Sequence, residues 1–84
     1  MYEIFIERTA ERDLKQLPSS QFLRIIPQIK MLAHNARPPG SRKLTGTNRD
    51  WRVRVGDYRI LYEIDDKSKV VRVMRVRHRK EVYR

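Results

Sequence analysis

Seven arginines carry most of the chemistry this chain can offer. Arg52, Arg54, Arg59, Arg72, Arg75, Arg77 and Arg79 all fall between positions 49 and 83, with His78 among the last of them and Tyr83 close behind. A guanidinium stays protonated and presents forked donors that match a phosphate, so these residues suit charge stabilisation. They are poor bases, because a guanidinium holds its proton throughout the ordinary pH range. RNA needs little more than such cations to be cut, since its own 2′-hydroxyl can attack the neighbouring phosphorus. The remaining requirements are a base for that hydroxyl and an acid for the leaving 5′-oxygen. The titratable groups near the arginines are His78, Tyr83, Lys43 and Lys80. Histidine is the usual side chain for proton transfer near neutral pH, which singles out His78, and Tyr83 can orient, stack or donate a proton. Trp51 and Tyr58 could also stack on a base, but their places in apolar patterns favour core packing.

Charge points the same way. The 84 residues carry a formal net charge of +10. Residues 1–41 hold six Lys/Arg against four Asp/Glu, and residues 42–84 hold fourteen against six, so the excess lies in the second half. A basic surface concentrated in this way favours a polyanion. The arginines sit in strand-like rather than amphipathic-helical segments, which disfavours a membrane surface. There are no cysteines and only His34 and His78, so a disulfide framework is excluded and neither a metal site nor any other cofactor is expected. No apolar run has the length to span a bilayer, and the start of the chain lacks a signal-peptide core; a cytoplasmic protein is expected.

The elements that must position these residues can be read in order. Residues 1–84 are expected to form a single domain. Tyr2, Ile4 and Ile6 alternate with Glu3 and Glu7 as an opening strand. Ala10, Leu14 and Leu17 recur at helical spacing behind a possible Thr9 cap, and Pro18 ends that helix. Ser19 and Ser20 offer caps for a second helix carrying Phe22, Ile25, Ile26, Ile29, Leu32 and Ala33. Pro27 predicts a kink rather than a break, because the apolar spacing stays in phase across it. His34 at the helix end reads as a dipole-favoured residue rather than a ligand. Residues 35–41 are loop, Arg42-Lys43-Leu44-Thr45-Gly46 is a short edge strand or extended segment, and a turn passes through Thr47-Asn48. Strands follow at 51–55, 58–65 and 69–77, joined by turns at Gly56-Asp57 and 65–68.

The pattern predicts an α+β fold: an N-terminal strand, then a two-helix hairpin packed on a twisted antiparallel sheet of about four strands. Arg52 and Arg54 share one strand face, and Arg59, Leu61 and Glu63 the matching face of the next. The third strand is ambiguous. Strict alternation that puts Arg75 and Arg77 on the cationic face sends Arg72 to the core side with Val70, Met74 and Val76, unless a bulge or snorkelling intervenes.

Three segments carry a resemblance: residues 38–46 (Pro-Pro-Gly-Ser-Arg-Lys-Leu-Thr-Gly), 51–62 (Trp-Arg-Val-Arg-Val-Gly-Asp-Tyr-Arg-Ile-Leu-Tyr) and 75–83 (Arg-Val-Arg-His-Arg-Lys-Glu-Val-Tyr). The chain resembles the RelE/ParE toxin superfamily over essentially its whole length, and its ending is similar to the RelE branch. The resemblance implies the toxin of a type II toxin–antitoxin system. Such a toxin cuts mRNA in the ribosomal A site without a metal, and a cognate antitoxin neutralises it. By position it implies catalytic roles for Arg52, Arg54, Arg59 and Tyr83, with Arg77 or Arg79 completing the set. Arg42, Lys43, Arg75 and Lys80 extend the expected RNA-binding surface. Arginine at 52 and 54, where some relatives have lysine, shifts the expected proton transfer toward His78 or Tyr83. The competing expectation is a ParE-like inhibitor of DNA gyrase that cleaves nothing.

Overall fold

The computed structural model describes residues 1–46 and 49–82, with side chains through Lys80. In chain order the elements are β1 (Glu3–Ile6), α1 (Arg8–Lys15), α2 (Ser19–Met31), β2 (Arg42–Lys43), β3 (Asp50–Val55), β4 (Tyr58–Asp65), β5 (Val70–His78) and α3 (Arg79–Val82). The sheet order is β1-β5-β4-β3-β2. The α+β arrangement of a helical hairpin on a sheet is as expected, but the sheet has five strands and is mixed, because β1 pairs parallel with β5. The hairpin of α1 and α2 carries the chain from one sheet edge to the other. That leaves the opening strand to add beside the last one.

Both helices lie on one face. Ala10, Leu14, Ile25, Ile29 and Leu32 meet Val53, Ile60, Tyr62, Ile64, Val71 and Val73 in a single buried cluster. Each such side chain contributes roughly 1.5–3 kcal/mol when fully removed from water. Tyr62 is 1% exposed, and its hydroxyl donates to the Ala36 carbonyl at 2.8 Å. Burial pushes that phenol up to about 12. Tyr62 thereby pins the loop after α2 to the sheet.

The helix starts differ from expectation. Glu7 precedes α1 and makes no side-chain cap bond, whereas Thr9 lies within the helix and donates its hydroxyl to the Met74 carbonyl at 2.9 Å. Pro18 occupies the cap of α2, with Ser19 and Ser20 already helical. A residue that fixes its own φ suits that position, and the serine caps become unnecessary. The helix runs through Pro27, with Ile25 and Ile29 on either side both buried. Gly56-Asp57 closes a two-residue hairpin between Val55 and Tyr58, with Gly56 at φ 60°. That value suits glycine, and an added Cβ would also meet the Arg24 guanidinium at 3.0 Å.

A bulge resolves the ambiguity of the last strand. Leu61 pairs with Arg75 but Tyr62 pairs with Val73, leaving Met74 as the extra residue. Alternation therefore restarts within β5. Val71, Val73 and Val76 are buried, while Arg72, Arg75 and Arg77 share the other face. Past Val73, β1 no longer covers the edge of β5, and α1 takes over. The Glu7 N–H donates to the Val73 carbonyl at 2.9 Å, Thr9 holds the Met74 carbonyl, and the Asp13 carboxylate accepts the Val76 N–H at 3.0 Å.

Candidate nucleic-acid interface

Cross-strand register decides which arginines meet. Arg54 on β3 lies opposite Arg59 on β4, and Arg59 lies opposite Arg77 on β5. Adjacent strands are about 4.8 Å apart, so three guanidinium-bearing residues cross about 10 Å of sheet in one row. Arg54 is exposed, Arg77 half-buried, and Arg59 only 4% exposed. A second row runs Arg42, Arg52, Leu61, Arg75. A third holds Asp50, Glu63 and Arg72, with Leu44 tied to it by an N–H donated to the Asp50 carbonyl at 2.8 Å. The open face is thus cationic at the hairpin end and acquires carboxylates two rows away.

Like charges set directly opposite one another are destabilising. A row of three arginines is therefore a poor way to stabilise a sheet and a good way to hold an anion. A guanidinium presents forked donors that match a phosphate, and this row aligns three of them across neighbouring strands.

Other residues of the expected site divide. Arg52 stands in the second row, beside Arg42 of β2. Arg75 is drawn toward α1: its Nε donates to Asp13 Oδ2 at 2.9 Å and its Nη2 to Asp13 Oδ1 at 3.3 Å. Of Arg77 and Arg79, register brings Arg77 into the row with Arg59. Arg79 opens α3 over the β3–β4 turn, its N–H donating to the Asp57 carbonyl at 2.7 Å and its Nε lying 4.0 Å from Asp57 Oδ1. Lys80 is exposed on α3. Lys43 pairs with Trp51, which packs against the core, so it belongs to the opposite face from Arg42. Trp51 and Tyr58 both pack against the buried cluster, as their patterns predict, and Arg37 lies over the Trp51 ring at 5.1 Å. Tyr83 falls outside the described residues.

His78 requires a correction. It pairs with Tyr58 on the helix-covered side, where the two rings meet edge-on at 5.2 Å. Its Nδ1 accepts the Lys80 N–H at 3.2 Å. Adjacent strand residues point to opposite faces, so Arg77 on the open face sends His78 to the other. The expected juxtaposition of His78 with the arginines does not occur.

Two features had no sequence forecast. Asp13 joins α1 to the bulge by bonds to both Arg75 and Val76, and only the bulge makes that reach intelligible. A depression of about 360 Å³ opens on the cationic face beside the second row, lined by Leu44, Leu61, Met74, Asp50 and Glu63 among others. The unpaired position of Leu61 in an alternation otherwise polar on that side is the signal that could have located it.

The family model for the ParE toxin of the type II toxin-antitoxin system parDE matches residues 4–83. The chain belongs to the RelE/ParE superfamily of type II toxins. This toxin is 35% identical over 88 residues to Toxin RelG of Mycobacterium tuberculosis, covering 99% of the chain and 97% of that protein. The archaeal RelE-RelB complex from Pyrococcus horikoshii contains a chain 28% identical, with a TM-score of 0.82 and coverage of 93% of this toxin and 94% of that chain. A chain of the RelB-RelE complex from Methanococcus jannaschii is 29% identical at a TM-score of 0.75, with 94% of each chain covered. The family model bears the ParE name and these relatives bear RelE-type names; superfamily membership is common to both. Among the described residues of the toxin, no helix is long and apolar enough to cross a membrane.

Proposed function

We propose that this toxin is a ribosome-dependent endoribonuclease that cuts mRNA in the ribosomal A site and is neutralised by a cognate antitoxin. The observation that carries the reading is the row Arg54–Arg59–Arg77, three cations in register on an open sheet face. In the proposed reaction the 2′-hydroxyl oxygen attacks its neighbouring phosphorus and the bond to the 5′-oxygen breaks. The 2′-proton leaves and the 5′-oxygen gains one. Arg54, Arg59 and Arg77 hold the phosphate oxygens as their charge grows, with Arg52 beside them; such electrostatic stabilisation needs no metal. With His78 on the other face, proton transfer falls to Tyr83 or to groups of the ribosome. Arg42 and Lys80 extend the basic surface toward the message.

Solved relatives at 28% and 29% identity are complexes with RelB, which supports an antitoxin partner here. An acidic segment that folds on binding would cover the cationic face by charge complementarity. Action on ribosomes implies a cytoplasmic site of action. The match to a ParE model favours a second reading, inhibition of DNA gyrase without nuclease activity.

Primer extension on an mRNA in a purified translation system, with and without ribosomes, separates the two when run beside a gyrase supercoiling assay. Cuts confined to translated message are expected. Intact message with blocked supercoiling would sink the ribonuclease reading.

A further inference from the structure

We infer that His78 is a positioning residue for the cleavage reaction: its imidazole caps α3 and so fixes the course of the chain beyond the arginine row, an inference that rests on the ribonuclease reading above. His78 closes β5 and immediately precedes Arg79, the first residue of α3. Its Nδ1 accepts the Lys80 N–H at 3.2 Å. A side chain just before a helix that accepts from the second helical N–H is an N-cap. Asn, Asp, Ser and Thr are the usual residues there, and here an imidazole nitrogen does the same. The ring is held from behind, edge-on to Tyr58 at 5.2 Å, and Tyr58 in turn packs against the core. The same orientation that takes His78 away from Arg77 turns its nitrogen to the start of α3.

α3 depends on such support. It spans only Arg79–Val82, and the first four N–H groups of any helix have no partner within it. A single turn is also too short to form on its own. Two bonds from outside hold its start: the Arg79 N–H donates to the Asp57 carbonyl at 2.7 Å, and the Lys80 N–H to His78. Asp57 immediately precedes β4 and His78 ends β5, so α3 is fastened to the two strands that carry Arg59 and Arg77. Lys80 lies on it, and Tyr83, one of the proposed proton-transfer groups, follows Val82 directly in the sequence. Losing the cap loosens this segment without removing a cation from the row.

The test compares His78→Ala, His78→Phe and His78→Asn with the wild-type toxin. Phenylalanine keeps a ring against Tyr58 but has no acceptor, whereas the asparagine side-chain oxygen can cap. Thermal melting checks that each variant folds. Residue 78 is not adjacent to the Lys80 amide in sequence, so the intrinsic exchange rate of that amide is common to all of them. Its hydrogen exchange should be about fivefold faster in His78→Ala and His78→Phe, and within about twofold of wild type in His78→Asn. Message cleavage should fall about three- to fivefold in the first two, following the population of ordered α3, and recover in His78→Asn. Loss of a proton-transfer group would instead slow cleavage about 100- to 10,000-fold, and asparagine would not restore it. Nitrogen NMR of the wild-type ring in mildly alkaline buffer should show its proton on Nε2, as an accepting Nδ1 requires. A proton on Nδ1, or Lys80 exchange unchanged in both His78→Ala and His78→Phe, overturns the cap. Cleavage in His78→Asn as low as in His78→Ala, with the Lys80 amide protected, overturns the positioning role. Absence of cutting by the wild-type toxin would fell the ribonuclease reading, and the positioning role with it, whereas Lys80 exchange decides the cap in either case.

Discussion

The two faces of β4 follow opposite rules. Toward the helices it presents Tyr58, Ile60, Tyr62 and Ile64, whose packing buries apolar surface and leaves the Tyr62 hydroxyl bonded. Toward the open side it presents Arg59, Leu61 and Glu63, with Arg59 set between Arg54 and Arg77. The first arrangement stabilises the fold by burial, whereas the second sets like charges in register, which adds nothing to the stability of the sheet. One strand thus separates the apolar face that holds the molecule together from the cationic face on which the proposed site is built.

Substitutions on either side of this strand should separate in kind. Ile60→Ala empties a fully buried site and should destabilise the fold by about 2–5 kcal/mol in chemical denaturation. Arg54→Ala, at an exposed site, should shift stability by less than about 0.5 kcal/mol. Yet it should slow cleavage by about 100-fold, the loss typical of one donor to a developing oxyanion. A large stability change in Arg54→Ala with normal cleavage would erase the distinction between the faces.

Asp13 crosses the boundary between the two regimes. With Thr9 it ties α1 to the bulge, binding the Val76 N–H and the Arg75 guanidinium. Asp13→Ala should cost about 1–3 kcal/mol by leaving a backbone donor unpaired. It should also loosen β5 near Arg77, read as faster amide exchange from Met74 to Arg77. Unaltered exchange there would remove Asp13 from the support of the arginine row.

The smallest expected effect lies at the far end of the sheet. Asp66 accepts from the Tyr2 hydroxyl and from Arg37 Nη2 at 2.8 Å, and the Arg37 bond chiefly holds its carboxyl down at about 2. The folded value lies below the ordinary 3.8. The contact therefore stabilises the fold above that ordinary value and is lost as pH falls through about 2. Asp66 is fully exposed to solvent screening, so the effect on neutral-pH stability should be slight. In Arg37→Ala the carboxyl midpoint, followed by NMR, should move back toward 3.8. A midpoint that stays near 2 would assign the depression to Tyr2 or the local backbone.

Much of this design was legible in the residues. The alternation of β4, the Gly56-Asp57 turn and the apolar stripe of α2 are local patterns, and each predicts its element directly. The parallel pairing of β1 with β5 joins the two ends of the chain and leaves no local signature. The bulge at Met74 is similarly hidden, because it arises from how β5 meets β4 and α1; only the three-residue spacing of Arg72 and Arg75 hints at it. His78 is a different case. Alternation alone places it opposite Arg77, and its chemical suitability as a base drew attention from its geometry. That Arg77, and not Arg79, stands in register with Arg59 is likewise something that spacing before Tyr83 does not supply.

The most direct test of the central claim compares Arg54→Ala with Arg24→Ala in a translating system, scoring message cleavage by primer extension. Both residues are exposed arginines, so the two variants lose the same charge, one from the open sheet face and one from α2. Cleavage should collapse in Arg54→Ala and persist in Arg24→Ala. Equal activity in the two, whether both intact or both impaired, would contradict a site built on the arginine row.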